Sequence, residues 1–153
     1  SDKNKNFIPL VIFSNNSINS SIKKICRNIS KDIKVYENIK NLNSINFLDS
    51  DLIFSVGFMK KIPNKIINKF KIINLHPSLL PKYKGLMAHK KMLVNNETKL
   101  GFTIHKVSAE LDAGDIICQK RKKITNFDEQ KILRAHKELE HKFVYQELVN
   151  YLN

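Results

Sequence analysis

Asn74 and His76 stand at the end of a short apolar run, directly before a segment bounded by Pro77 and Pro81. An asparagine amide can donate a hydrogen bond to a carbonyl oxygen, and a histidine can transfer a proton or stabilise a developing negative charge. Because prolines restrict the backbone, the segment INLHPSLLPKYKG (residues 73–85) can hold both side chains at a fixed distance from a reacting carbonyl group. The alternative interpretation is an ordinary surface loop that leaves a strand.

An aspartate, Asp112, supplies a third group suited to this chemistry. It lies in the loop AELDAGD (residues 109–115), after the alternating strand pattern LGFTIHKVS (residues 100–108). A carboxylate beside His76 can orient the ring, favour its charged form and relay protons through water. With Asn74, these groups suit an acyl-type transfer, although each also has an ordinary structural interpretation as a cap, a polar contact or a turn residue.

The positions of these groups depend on an alternation of predicted strands and helices. Short apolar or alternating runs predict strands over residues 8–13, 33–39, 51–58, 71–76, 100–108 and 116–124. Apolar residues at helical spacing predict helices over residues 21–29, 62–70, 85–96 and 128–152. The early alternation predicts a mostly parallel, twisted α/β sheet with helices on both faces. The last two strands, joined by a short loop, must form an antiparallel edge.

Ligands in open α/β sheets bind beyond the carboxyl ends of the strands. Gly57-Phe58-Met59 follows the third predicted strand, Asn74-x-His76 ends the fourth, and Asp112 follows the fifth. We therefore expect these three features to meet at one edge of the sheet.

The composition describes a basic chain of one domain's length. The 153 residues, 42% of them hydrophobic, predict a single domain over residues 1–153. The net charge is +13, yet 24 of the 27 basic residues are lysines and only three are arginines. Arginine is preferred for bidentate contacts with phosphates and bases, so we expect no nucleic-acid partner. A basic surface can still attract a phosphorylated small substrate.

The cysteines and the apolar segments indicate the compartment. Cys26 and Cys118 lie far apart and show no metal-ligand spacing, so we expect two free thiols, no metal site and a cytoplasmic location. The apolar run FIPLVIF (residues 7–13) is too short to cross a bilayer, and nothing resembles a signal peptide, so we expect no membrane association.

The segment INLHPSLLPKYKG, followed by GFTIHKVSAELDAGDIICQ, resembles the glycinamide ribonucleotide formyltransferase family. The shared pattern is Asn-x-His-Pro-Ser-Leu-Leu-Pro-x-Tyr-x-Gly, then Gly-x-x-x-His, then Glu-Leu-Asp-x-Gly, and it covers roughly residues 51–145. The resemblance implies a formyltransferase-type Rossmann-like α/β fold. It also implies transfer of a formyl group from 10-formyltetrahydrofolate, as co-substrate, to glycinamide ribonucleotide in purine biosynthesis.

The resemblance also implies roles for individual residues. Asn74 and protonated His76 would stabilise the tetrahedral oxyanion formed when the amine attacks the formyl carbon, and Asp112 would hold the histidine charge and accept the amine proton through water. Folate contacts would come from Asn74 and Asp112 themselves and from two segments: Met59, Lys60, Lys61, Ile62, Ser108, Ala109, Glu110 and Leu111.

The long carboxyl-terminal helix contributes two further candidates. Lys137 and Glu140 in KELEH align with the family's ribonucleotide-contacting stretch, and their alternative interpretation is a solvated helix face.

His89 and His105 keep family positions, and we expect both to be structural.

The amino-terminal part departs from the family pattern. Family members begin with a glycine-rich phosphate loop, in which backbone N–H groups approach a phosphate. This chain has no glycine before Gly57, and its candidate segment is FSNNSINS (residues 13–20). That segment is either a degenerate phosphate loop or part of a later family strand, in which case the first strand and helix are missing. Either way, we expect the amino-terminal part to be shortened. Nearer the site, Met87 replaces a common histidine and Lys84 a proline.

Three alternatives to glycinamide ribonucleotide formylation stay open. The amine could belong to an amino-sugar nucleotide or another small molecule. A methionyl-tRNA formyltransferase would suit the charge, but it normally carries a further carboxyl-terminal RNA-contacting domain, whereas this sequence ends with the helix. A non-catalytic folate-binding relative would not need Asn74, His76 and Asp112 together. We expect the substrate to be a phosphorylated small-molecule amine. We expect the protein to be a monomer or a homodimer.

Overall fold

A computed structural model describes residues 10–14, 16–49, 51–58, 60–125 and 128–153. Residues 8 and 9 of the first predicted strand lie outside this part of the chain. The elements, in chain order, are β1 (Leu10–Phe13), α1 (Ser20–Ile29), β2 (Ile33–Tyr36), a 3₁₀ turn (Leu42–Ser44), β3 (Leu52–Val56), α2 (Asn64–Lys69), β4 (Lys71–His76), α3 (Ala88–Val94), β5 (Lys99–Lys106), β6 (Ile116–Lys123) and α4 (Glu129–Leu152).

Within the described residues, the strands form one six-stranded sheet in the order β2-β1-β3-β4-β5-β6. The pairs from β2 through β4 are parallel, whereas β4–β5 and β5–β6 are antiparallel. The predicted α/β fold, with a mostly parallel sheet and an antiparallel edge, is confirmed.

The two faces of the sheet pack against different helices because successive side chains of a strand point to opposite faces. On β1, Leu10 and Ile12 join a buried cluster with residues of α1, α3 and α4. Val11 and Phe13 join a second cluster with the 3₁₀ turn and Ile66 of α2. Burial on both faces explains why these strands read as continuous apolar runs. None of the helices in the described part of the chain is long and apolar enough to cross a membrane.

Three predicted boundaries are wrong by two or three residues because the backbone there adopts positive φ. β2 is shorter than predicted because Asn38 has φ of 54°, and β3 stops before Gly57, which has φ of 66°. α3 begins after Met87 rather than at residue 85, because Met87 has φ of 62° and a left-handed residue cannot continue a right-handed helix. The other described boundaries differ from the predicted ones by one or two residues at most.

Candidate active site

Strand β4 and its antiparallel neighbour β5 position the central groups of the site. Asn74 and His76 are two residues apart and therefore share a face of the sheet, opposite to the buried Ile73. In the register of the pair, Asn74 lies beside His105 and His76 beside Thr103. Two adjacent strands thus hold two histidines and an asparagine together on one face.

Asp112 reaches this face by a route that the sequence did not predict. Because β5 is antiparallel to β4, its carboxyl end lies beside Ile73, which pairs with Lys106, so Asp112 does not follow a strand that ends at the same edge as β4. Asp112 thus follows the carboxyl end of a strand, as expected, but that end does not lie at the edge of the sheet where β4 ends. Instead, the connection over residues 107–115 returns along the sheet and places Asp112 Oδ2 3.5 Å from His76 Nδ1.

A glycine permits this return. A Cβ atom at Gly114 would lie 1.7 Å from the carbonyl oxygen of Lys106, a distance that no side chain can tolerate. The tight contact between the two ends of the loop therefore requires glycine at this position. It explains in physical terms why glycine follows Ala113 in the sequence.

The ring of His76 is buried, and its two nitrogens have different environments. Nε2 lies 2.8 Å from the backbone carbonyl oxygen of Tyr83. A carbonyl can only accept, so Nε2 carries a hydrogen and donates it. Nδ1 faces Asp112 across 3.5 Å, which exceeds the usual N–H···O distance of about 2.7–3.2 Å. Nδ1 is therefore the ring atom that remains for a ligand or for a proton shared with the carboxylate.

In His105 the ring nitrogens have exchanged roles: Nδ1 donates to a backbone carbonyl, and Nε2 contacts and positions Asn74. Its Nδ1 donates to the carbonyl oxygen of Lys106 at 2.9 Å, and its Nε2 lies 3.1 Å from Nδ2 of Asn74. Burial lowers the pKa of His105, which favours a neutral ring whose Nε2 accepts from the Asn74 amide. One N–H of that amide is thereby fixed, and the other is left for a ligand oxygen. His105, expected to be structural, therefore orients a candidate catalytic group.

The segment between Pro77 and Gly85 is anchored by polar side chains from the antiparallel strands. Thr103 Oγ1 donates to the carbonyl oxygen of Ser78 at 2.7 Å and accepts from the N–H of Leu80 at 3.1 Å. Gln119 Nε2 donates to the carbonyl oxygen of Leu80 at 2.7 Å. The prolines therefore do not fix this segment alone. Thr103 and Gln119 could have been found from the sequence as anchoring residues, because they are polar residues inside otherwise apolar strand patterns.

The backbone around the site contains three non-glycine residues in the left-handed region. Tyr83 has φ of 58°, Met87 has φ of 62° and Asp112 has φ of 49°. Such conformations cost on the order of 1–3 kcal/mol each and persist only where surrounding contacts enforce them. For Asp112 one such contact is the N–H of Gly85, which donates to its Oδ2 at 2.7 Å. The clustering of these residues supports the assignment of this region as the site.

The predicted folate-contacting segments lie on two sides of these groups. Lys60 and Lys61 follow β3, the parallel neighbour of β4, and are exposed, whereas Ile62 is buried in the core; Met59 lies outside the described residues. Ala109, Glu110 and Leu111 are exposed in the returning loop, and Ser108 Oγ donates to the carbonyl oxygen of Glu110 at 3.1 Å. The side chain of Leu111 lies beside Gly85.

The predicted amine-binding residues line a cleft of about 530 Å³ that adjoins the site at Pro77, the residue after His76. The other lining residues are His89, Gln130, Leu133, Arg134, His136, Lys137 and Glu140. Lys137 is exposed. The carboxylate of Glu140 is 3.1 Å from Nδ1 of the buried His136, whose Nε2 donates to the carbonyl oxygen of Gly101 at 2.9 Å. Glu140 is therefore partly engaged within the protein.

The candidate phosphate segment forms the turn between β1 and α1, and Asn15 within it lies outside the described residues. The N–H of Ile18 donates to Oε1 of Glu37 at 2.6 Å, and the same oxygen is 3.0 Å from Lys23 Nζ. The hydrogen bond from Lys23, followed by that from Ile18, lowers the pKa of Glu37. The Asn19 side chain caps α1 by accepting from the N–H of Ser21 at 2.8 Å. Backbone N–H groups that could otherwise donate to a phosphate thus already donate to oxygens of the protein.

Comparisons with known proteins assign the chain to a family. The family model described as formyl transferase matches residues 3–148. The methionyl-tRNA formyltransferase of Borrelia garinii subsp. bavariensis is 37% identical over 106 residues, which cover 65% of this chain and 34% of that protein. The phosphoribosylglycinamide formyltransferase of Escherichia coli strain K12 is 28% identical over 112 residues, which cover 72% of this chain and 53% of that protein.

A solved structure agrees with this result over a longer stretch. The crystal structure of the phosphoribosylglycinamide formyltransferase of Campylobacter jejuni superposes with a TM-score of 0.75 at 26% sequence identity, covering 94% of this chain and 97% of that one. This chain spans about a third of the length of the Borrelia relative and about half that of the Escherichia coli relative. The family model covers almost all of the sequence and the site has the expected composition; the chain belongs to the formyl transferase family.

Proposed function

We propose that this protein transfers a formyl group from 10-formyltetrahydrofolate to the amine of a small molecule. The observation that carries this proposal is the convergence of Asn74, His76 and Asp112 on one face of the sheet, with hydrogen-bonding capacity that the protein does not use. One amide N–H of Asn74 and Nδ1 of the His76 ring have no short hydrogen bond to the described part of the chain. Family membership supports the same reaction.

The three side chains have distinct tasks in this reaction. 10-Formyltetrahydrofolate supplies a formyl carbon bound to nitrogen, so the transfer replaces one C–N bond by another and moves one proton from the amine to the folate. The Asn74 amide and protonated Nδ1 of His76 donate to the formyl oxygen as it gains negative charge. The Asp112 carboxylate stabilises the imidazolium and accepts the amine proton through water.

In this proposal the folate binds to residues of two segments, one after β3 and one in the connection over residues 107–115. Lys60 and Lys61 are exposed after the end of β3, Leu111 is exposed in the middle of the connection over residues 107–115, and Ile62 is buried in the core. The complete proposed set comprises Met59, Lys60, Lys61, Ile62, Asn74, Ser108, Ala109, Glu110, Leu111 and Asp112. Cys26 and Cys118 are free thiols, which agrees with a reaction in the reducing cytoplasm.

Glycinamide ribonucleotide is the amine that we propose first. The similarity to the Campylobacter jejuni phosphoribosylglycinamide formyltransferase extends over nearly the whole length of both chains. Lys137 and Glu140 line the cleft beside His76, and the cleft also contains Arg134, so a phosphorylated ligand would meet two cations there. In this proposal the protein acts in purine biosynthesis.

An amino-sugar nucleotide or another amine is the second candidate. The observation that favours it is the turn between β1 and α1, where the carboxylate of Glu37 already takes the Ile18 N–H and the Lys23 ammonium group. A phosphate at this turn would have to displace that carboxylate. An amine whose anionic group lies elsewhere would avoid this competition.

A direct assay tests the reaction. The purified protein should transfer the formyl group from 10-formyltetrahydrofolate to one member of a panel that contains glycinamide ribonucleotide, an amino-sugar nucleotide and methionyl-tRNA. Asn74→Ala, His76→Ala and Asp112→Asn should each reduce kcat by about 10²–10⁴-fold, because each removes a group that acts on the developing charges. Their free energies of unfolding should change little.

Asp115→Asn is the matched control, since it removes an exposed carboxylate from the same loop. Near-normal turnover of all three site variants would contradict the catalytic assignment. Folate binding without formyl transfer to any amine of the panel would instead identify a non-catalytic folate-binding protein.

A further inference from the structure

We propose that Tyr83 is a positioning residue: its phenol hydroxyl, anchored on Glu97, holds its own backbone carbonyl against Nε2 of His76 and so determines which ring nitrogen faces the reacting atoms. The inference rests on the proposed formyl transfer at this site. It concerns a residue that lies outside the three groups discussed above.

The carbonyl end of this arrangement is defined by short contacts. The Tyr83 oxygen lies 2.8 Å from His76 Nε2. The buried Ser78 hydroxyl lies 3.4 Å from the same oxygen but only 2.6 Å from the carbonyl oxygen of Lys82, so its single hydrogen goes to Lys82. His76 is therefore the main donor to the Tyr83 carbonyl.

The direction of that carbonyl depends on an unusual backbone conformation. Tyr83 has φ of 58°, in the left-handed region that a residue with a side chain rarely adopts. Relaxation to negative φ would rotate the peptide and turn the carbonyl away from the ring. The flanking residues Lys82 and Lys84 are exposed, so packing of their side chains does not prevent this relaxation.

The Ser78 hydroxyl holds the Lys82 carbonyl and Asp112 holds the Gly85 N–H, and the side chain of Tyr83 adds a restraint on the residue itself. Its hydroxyl donates to Oε1 of Glu97 and accepts from Nδ2 of Asn95 at 3.2 Å. Burial and the hydrogen bond to Glu97 raise the pKa of Tyr83, and the same bond lowers the pKa of Glu97. Both shifts describe a phenol that donates to an ionised carboxylate, which is the stronger type of hydrogen bond.

Glu97 is itself fixed to the end of α3. Its N–H donates to the carbonyl oxygen of Met92, a buried residue of that helix. Lys82 Nζ lies 3.3 Å from Glu97 Oε1 on the exposed side. The restraint thus runs from a helix end, through Glu97 and the Tyr83 hydroxyl, to the ring of His76.

The consequence for His76 is a fixed tautomer. A hydrogen bond from Nε2 to the Tyr83 carbonyl requires that the neutral ring carry its hydrogen on Nε2 and leave Nδ1 bare toward Asp112. A proton taken up by the ring then goes to Nδ1, where it faces both Asp112 and a bound formyl oxygen. Without the carbonyl, the neutral ring would also populate the Nδ1–H form, which offers no such site.

The test combines ring spectroscopy with kinetics. In Tyr83→Phe, ¹⁵N chemical shifts of the His76 ring at alkaline pH should change from the Nε2–H pattern of the wild type to a mixture of both tautomers. The variant should lose kcat by about 10- to 100-fold, since the reacting groups are misplaced, while KM for 10-formyltetrahydrofolate stays within about twofold. Glu97→Gln should move both readouts in the same direction by a smaller amount.

Tyr145→Phe is the matched control, because Tyr145 is an exposed residue of α4 and its loss of a hydroxyl should alter neither readout. The proposal is wrong if Tyr83→Phe keeps both the wild-type tautomer and the wild-type kcat. If Tyr83→Phe fails to fold, the ¹⁵N shifts and kcat of Glu97→Gln decide instead, and wild-type values of both would contradict the proposal. If the wild type transfers no formyl group, the proposed function fails, whereas the ¹⁵N spectra still decide the role of Tyr83.

Discussion

The two histidines on the site face have different hydrogen-bond partners at their two ring nitrogens. His105 Nδ1 donates to the Lys106 carbonyl and its Nε2 accepts from the Asn74 amide, with Asp112 Oδ1 3.7 Å from Nε2. His76 Nε2 donates to the Tyr83 carbonyl, whereas its Nδ1 faces the Asp112 carboxylate at 3.5 Å without a short hydrogen bond. One residue type therefore has two arrangements: His105 holds an amide, and His76 keeps one ring nitrogen for the proposed donation to the formyl oxygen.

A third histidine, His89, provides a prediction for the pH dependence of stability. Burial lowers its pKa to about 4, and the nearby His136 ring, edge-on at 4.9 Å, acts in the same direction, whereas Glu140 opposes it. The unfolded chain has a histidine pKa of about 6.5. Between these values the unfolded state binds a proton that the folded state does not, so the free energy of unfolding falls as the pH falls from about 6.5 to about 4.

His89→Gln should remove this contribution. Urea unfolding at several pH values should show that the variant loses about 1–2 kcal/mol less stability than the wild type on acidification, after allowance for the partial exposure of the ring. Lys90→Gln removes a positive charge from an exposed position of the same helix and should follow the wild-type curve. Parallel curves for His89→Gln and the wild type would contradict the assignment of a neutral buried His89.

At the residue scale, the sequence predicted the groups with reactive side chains better than those that hold them. Asn74, His76 and Asp112 were identified from their chemistry and from the resemblance, and the structure places them together. Tyr83 and Gly85 belong to the shared motif but received no role, because they act through backbone groups whose direction depends on the loop conformation. No spacing rule reports the φ angle of Tyr83.

At the scale of elements, the connection between β5 and β6 decides whether the site is complete. Asp112 has its position only because residues 107–115 return along the sheet, and this return needs the close approach at Gly114. Gly114→Ala should push the loop away from the Lys106 carbonyl, lower the free energy of unfolding by about 2 kcal/mol and reduce turnover by separating Asp112 from His76.

Chemical denaturation and the formyl-transfer assay measure these two effects. Ala113→Ser changes an exposed neighbour in the same loop and should preserve both properties. A fully stable and fully active Gly114→Ala protein would show that the loop can carry Asp112 in a different conformation.

The elements themselves were predictable because periodicity reports which faces are buried. The pattern identified every described strand and α-helix, from the buried β1 to the long α4. It did not predict the pairing of β4 with β5, because an antiparallel partner and a parallel partner bury the same alternating residues. That ambiguity is the reason why the sequence did not predict that residues 107–115 return along the sheet to bring Asp112 to His76.

At the scale of the whole molecule, the sheet has β2 and β6 at its two edges. The outer strand β6 carries Lys120, Arg121, Lys122 and Lys123 in succession. Positive side chains on an edge strand oppose pairing with a second sheet, so part of the high charge protects an exposed row of backbone groups. This role requires no nucleic-acid partner.

The high net charge also opposes folding. The chain carries a net charge of +13, and its positive side chains repel one another more strongly in the compact folded state than in the unfolded state. Salt shortens the screening length from about 10 Å at 0.1 M to about 3 Å at 1 M. Attractive pairs such as Lys23–Glu37 weaken as well, but the excess of positive charges is larger than the number of such pairs in the described residues. We therefore expect repulsion to dominate the response to salt.

Raising NaCl from 0.1 to 1 M should accordingly raise Tm by about 2–5 °C, which corresponds to roughly 1 kcal/mol for a chain of this size. Lys122→Glu, at an exposed position of β6, should raise Tm at low salt and reduce its salt dependence, because it relieves repulsion among the neighbouring cations. Lys122→Gln is the intermediate step of the series. A Tm that falls with NaCl would mean that specific ion pairs, rather than net repulsion, govern the electrostatic part of the stability.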